Sequence, residues 1–90
     1  MKEKIEKTKY ALVTGGSRGI GSAICVQLAK DLNYKLLINY KGNKVAAENT
    51  LDNVIEAGGQ GELLQFDVAN AEQVNSVLDN WHDNNKNAII

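Results

Sequence analysis

The residues between positions 14 and 21, Thr14-Gly15-Gly16-Ser17-Arg18-Gly19-Ile20-Gly21, have the types and spacing to hold a phosphate. At the start of a helix the first backbone N–H groups have no partner within the helix, and the helix dipole adds positive character there. An anion therefore fits such a helix start, provided the chain in front of it can turn sharply and nothing bulky stands in the way. Glycine meets both needs, because it adopts positive φ without strain and carries no Cβ. The spacing assigns Gly15 to the turn, Gly19 to the approach of a phosphate and Gly21 to close packing of helix on strand. A tight link between strand and helix without any ligand is the alternative. The strand before and the helix after make that alternative the weaker one.

Those flanking elements follow from hydrophobic patterning. Tyr10 to Val13 is a short apolar run ending at the glycines, which reads as a buried strand. After the loop, Ile20, Ala23, Ile24, Leu28 and Leu32 recur mostly at spacings of three and four, predicting a helix with that face on a sheet and Lys30 and Asp31 outward. Lys35 to Tyr40 is a second strand. Ala47, Leu51, Val54 and Ile55 mark a second helix, closed by Gly58-Gly59. A strand from about Glu62 to Phe66 follows. Asn70 and Gln73 form a capping pair for a third helix carrying Val74, Val77, Leu78 and Trp81 to about Asp83, and Ala88-Ile89-Ile90 opens a fourth strand.

Alternating strands and helices with short links require parallel pairing through right-handed crossovers. The expected fold is α/β: a partial, Rossmann-like three-layer sandwich of three βα units, with sheet order 3-2-1 and the start of a fourth strand. Residues 1–90 form one domain on this reading, with residues 1–7 a flexible charged tail. That start lacks the apolar stretch of a signal peptide, and no run approaches the length of a membrane span. A net charge of −1 gathers neither nucleic acid nor an acidic membrane, and the single Cys25 cannot form an internal disulfide. A reduced, buried thiol in a cytoplasmic chain is the expectation, with no metal site.

The glycine run is not the Gly-x-x-x-x-Gly-Lys-Ser/Thr of a P-loop, and its Gly-x-x-x-Gly-x-Gly spacing differs from the Gly-x-Gly-x-x-Gly dinucleotide fingerprint. Thr-Gly-x-x-x-Gly-x-Gly at the end of a first strand resembles the short-chain dehydrogenases/reductases, and Thr-Gly-Gly-Ser-Arg-Gly-Ile-Gly is especially similar to bacterial 3-oxoacyl-[acyl-carrier-protein] reductases. The resemblance runs from about Tyr10 to Ile90. It implies a nicotinamide cofactor, a carbonyl-reducing parent enzyme of fatty acid biosynthesis and an acyl-carrier-protein substrate. It also implies that Ser17 and Ile20 line the cofactor, that Asn39 and Tyr40 lie near the adenosine ribose, and that Asp67-Val68 is the pair beside the adenine ring.

Dinucleotide folds that prefer NAD place an acidic residue about 20 positions after the glycines. Here that region reads Ile38-Asn39-Tyr40-Lys41, with no carboxylate to repel a 2′-phosphate, while Lys41 and Arg18 can supply positive charge. NADP(H) is favoured over NAD(H). Lys41 as an ordinary solvated lysine, Arg18 as a surface arginine and Asp67 as a turn starter remain open. Trp81 is expected in the core and His82 on the wet surface.

The family pattern also implies Asn-Ala-Gly after the fourth strand, then a Ser and Tyr-x-x-x-Lys. Tyr40 and Lys44 have that last spacing, but they cross from a strand end toward a helix start on the adenosine side, so the match is read as coincidence. No catalytic residue is assigned. The chain alone is expected to grip adenosine and phosphates without reducing anything, and to self-associate through an uncovered edge of the first strand. A free-standing, non-catalytic nucleotide-binding or self-assembling half-Rossmann module is the alternative. A flavodoxin-like receiver fits worse, because its first strand should end in acidic residues.

Overall fold

The computed structural model describes residues 8–15, 19–31 and 34–90; the expected tail at residues 1–7, the loop residues Gly16, Ser17 and Arg18, and Leu32 lie outside them. The elements run β1 (Thr8–Val13), α1 (Gly19–Asp31), β2 (Lys35–Tyr40), α2 (Lys44–Glu56), β3 (Gly61–Gln65), α3 (Ala71–Asn84) and β4 (Ala88–Ile89). All pairings are parallel and the order is β3-β2-β1-β4, the expected 3-2-1 sheet with the fourth strand added beside β1. β4 pairs only with the start of β1, at Thr8 and Lys9.

Central strand β2 is buried on both faces, and its alternation feeds two separate cores. Leu36 and Ile38 pack with Cys25 and Ala29 of α1 and Val54 of α2. Leu37 points the other way, into Tyr10, Trp81 and Ala88 on the α3 side. Ala11 and Val13 join the first core and Leu12 the second, so β1 alternates in step. Cys25 is fully buried, and loss of water pushes its thiol up to about 11, which keeps it protonated at neutral pH.

Helix α1 lies on the sheet in a different phase from the one its isoleucines suggest. Ile20 is 81% exposed, Ile24 44%, and Ala23 also faces out; the buried stripe is Cys25 and Ala29, flanked by Val26 and Leu28. Small side chains on that stripe let the helix come close to the strands and to α2, where Thr50 Oγ1 donates to Ser22 Oγ across 2.9 Å. Lys30 and Asp31 face outward as expected. On α2 the stripe is Ala47, Thr50 and Val54, while Ile55 is exposed. Asn43 caps α2 by accepting from the Ala46 N–H, a cap the apolar pattern did not reveal.

The end of α2 depends on two glycines with different tasks. Gly58 has φ +88°, its N–H donates to Ile55 O, and the Gly59 N–H donates to Val54 O, the paired bonds of a Schellman closure. Gly59 is instead a close-packing residue: a Cβ there would stand 2.6 Å from Ala29 Cβ and 3.1 Å from Val54 Cγ1. Gly59→Ala is therefore expected to push α1 and α2 apart and lower stability by about 1–3 kcal/mol, read from the urea midpoint. An unchanged midpoint would show that the two helices can separate freely.

Candidate nucleotide site

Because β1, β2 and β3 are parallel, their C-terminal ends lie along one edge of the sheet, and the sequence-predicted residues follow those ends. Gly15 follows β1, Asn39 and Tyr40 end β2 with Lys41 next, and Phe66-Asp67-Val68 follow β3. The Phe66 N–H donates to Tyr40 O at 3.1 Å, which continues the β2–β3 pairing past the last strand residue and sets Asp67 beside Lys41. Ligands of open α/β sheets bind at this edge, outside the carboxyl ends of the strands.

Gly15 has φ +64° and Gly19 φ +65°, so both occupy the left-handed region that favours glycine. A Cβ at either would meet no atom within 4 Å. Glycine is thus needed at these positions for backbone conformation, not to relieve crowding by the protein. Helix α1 opens at Gly19 with no acidic residue in its first turn, so no carboxylate opposes an anion at its N-terminus. Close packing that only glycine permits is found at Gly59, and at Gly61, where a Cβ would stand 3.0 Å from Leu36 O.

Lys41 and Asp67 form an ion pair of 3.5 Å with side chains 78% and 35% exposed. The Asp67 carboxyl is held below its usual range, first by the Ala69 N–H that donates to Oδ1 and then by Lys41. An ion pair this exposed contributes little, so Lys41 keeps its capacity to turn to another anion. The Asn70–Gln73 cap is present, with the Gln73 N–H donating to Asn70 Oδ1 at 3.1 Å, while the Gln73 side chain accepts from the Asp67 N–H. The start of α3 thereby braces the Asp67 turn. Val68 is 59% exposed at the same edge, and Tyr40 is buried.

Asn39 is 3% exposed, and its amide bonds to backbone on both sides of β2, a role that strand position alone did not signal. Tyr40 is buried at the end of β2, and Lys44 opens α2 in solvent. Trp81 is core, with its ring edge-on to Tyr10 at 4.8 Å, and His82 is exposed. Among the described residues no cluster of His, Cys, Asp and Glu could hold a metal ion, and no helix is long and apolar enough to cross a membrane.

Comparison with known proteins agrees with this geometry. A 3-oxoacyl-[acyl-carrier-protein] reductase FabG of Staphylococcus aureus (strain Mu50) is 39% identical over 74 residues, covering 82% of this chain and 30% of that protein. The uncharacterized oxidoreductase YgfF of Escherichia coli (strain K12) is 44% identical over 64 residues, covering 71% and 26%. The chain thus spans less than a third of the length of these relatives. Among solved structures, the promiscuous reductase LugOII, which catalyses a keto-reduction in lugdunomycin biosynthesis, superposes with TM-score 0.74 at 28% identity over 92% of this chain and 34% of its own. A metagenomic short-chain oxidoreductase in complex with NADP has the same fold, with TM-score 0.77 at 22% identity over 91% of this chain and 36% of its own. The short chain dehydrogenase family model matches residues 9–87, and the chain belongs to that family.

Proposed function

We propose that this chain holds the adenosine and pyrophosphate of NADP(H) for a carbonyl reductase whose substrate is a 3-oxoacyl thioester on an acyl carrier protein. The observation that carries the reading is the charge at the end of β2, where Lys41 stands exposed and no carboxylate occupies Ile38 to Lys41. The S. aureus relative, named as a 3-oxoacyl-[acyl-carrier-protein] reductase, supports the substrate class. The NADP complex of a chain with the same fold supports the cofactor.

The residues present fit such a cofactor. Gly15, Gly19 and Gly21, with Ser17, Arg18 and Ile20, would receive the pyrophosphate and the neighbouring ribose at the start of α1. Lys41 and Arg18 would meet the 2′-phosphate, Tyr40 would border the ribose, and Asp67 and Val68 would flank the adenine. The bound cofactor supplies the hydride for carbonyl reduction. The buried, protonated thiol of Cys25 takes no part in that chemistry and suits a reducing cytoplasm.

Calorimetric titration of the full chain with NADPH and NADH tests the reading. NADPH is expected to bind more tightly. Lys41→Ala should weaken NADPH about tenfold, the loss of one charge-assisted contact, and leave NADH within about twofold. Equal affinity for the two dinucleotides, or a ratio unmoved by Lys41→Ala, would overturn the assignment.

A further inference from the structure

We infer that Asn39 is a positioning residue that fixes the glycine loop against the ends of β2 and β3, and that it does not itself contact the nucleotide. The inference deepens the reading of the site as a dinucleotide seat and rests on it only where binding is measured.

Asn39 lies at the end of the central strand, level with Leu64 of β3, and its side chain spans three parts of the site. Its Oδ1 accepts from the Gly15 N–H at 3.2 Å, at the turn that leads out of β1. Its Nδ2 donates to Phe66 O at 3.0 Å and Leu64 O at 3.3 Å, with a longer contact of 3.5 Å to Tyr40 O. An amide NH2 has two protons, and both are taken, by the carbonyls of Leu64 in β3 and of Phe66 just after it. With 3% of the residue exposed, neither end of the amide is presented to a ribose hydroxyl.

The position matters because it lies about 20 residues beyond the glycines, where an acidic residue would read the ribose in an NAD-binding chain. In this chain that substitution has a different result. Asn39→Asp keeps an acceptor for Gly15 but sets a buried carboxylate oxygen against the carbonyls of Leu64 and Phe66, with no proton between them. Cofactor choice is therefore left to the exposed Lys41, two residues further along at the same strand end, and Asn39 sets the geometry common to both dinucleotides.

The test uses the full chain, with dinucleotide affinities and amide hydrogen exchange followed by NMR. In the unaltered chain the Gly15 N–H, although in a turn, should exchange about a hundredfold more slowly than in an unstructured peptide. Asn39→Ala should release that amide while those of Leu37 and Ile38 stay protected, and should weaken NADPH and NADH about tenfold each with their ratio unchanged. Asn39→Asp should weaken both. A gain in NADH affinity in Asn39→Asp, or a shifted ratio in Asn39→Ala, would show a ribose contact and overturn the inference. Should either variant fail to fold, the Gly15 amide of the unaltered chain still decides, because free exchange there means that the bond is absent. If the unaltered chain binds neither dinucleotide, the functional reading fails, and the exchange result stands apart from it.

Discussion

Trp81→Ala is expected to destabilise the fold by about 3–5 kcal/mol, the largest effect of any single substitution considered for this chain. Trp81, the buried residue of α3, is 5% exposed and packs in one core with Tyr10, Leu37 and Ala88. Its loss would leave a void beneath α3, remove the edge-on contact with the Tyr10 ring and free Glu62 from the indole N–H that donates to it across 3.3 Å. The rest of the apolar face of α3, Val74, Val77 and Leu78, is only half-buried and offers little to compensate. Small domains are stable by about 5–15 kcal/mol, so the loss would remove a large share of the fold's stability. Urea denaturation followed by circular dichroism reads the loss, since the sole tryptophan is the one removed. A loss below about 1 kcal/mol would mean that α3 is held by other contacts.

The second large effect is on binding. Gly19→Val is expected to weaken NADPH and NADH alike by about a hundredfold or more, roughly 2.7 kcal/mol. Its φ of +65° is strained for valine, which should cost the fold about 1–2 kcal/mol. Apart from its chain neighbours and its own helix backbone, nothing lies within 4 Å of the position a Cβ would take, so that atom itself adds no crowding to the cost. The branched side chain would project over the start of α1, where the proposed pyrophosphate seat lies. Folding and binding are thereby separated: a thermal melt should show a modest decrease, and calorimetry should show a near-complete loss. If the folded variant binds NADPH as tightly as the unaltered chain, the seat is not at this helix start.

Much of this arrangement is legible in the sequence. Short apolar runs at Tyr10–Val13 and Lys35–Tyr40, separated by segments with helical spacing, specify parallel strands before any contact is known, and the glycines fall where β1 must turn into α1. The phase of α1 is less legible, because two stripes compete. Ile20 and Ile24 are the more apolar pair, but Cys25 and Ala29 are small, and small residues allow the helix to approach closely enough for Leu36 and Ile38 to pack against it. Periodicity ranks hydrophobicity and does not measure distance between layers. Gly59 escapes for the same reason: beside Gly58 it reads as part of a helix end, and the contact it permits, with Ala29, lies 30 positions earlier in the chain. Asn39 is visible as a residue without negative charge, but its partners Gly15, Leu64 and Phe66 are neighbours only through the sheet.

The two-sided burial of β2 bears on how reliably the strands find their alignment during folding. A slip of one residue would exchange Leu37 with Leu36 and Ile38 between the layers at modest hydrophobic cost, since both layers accept aliphatic side chains. The same slip would carry the Asn39 amide away from all its partners and into an oily layer, a penalty of about 1–3 kcal/mol for each polar group stranded there. A single amide thus proofreads the alignment of the central strand, rejecting mispaired chains that hydrophobicity alone would tolerate.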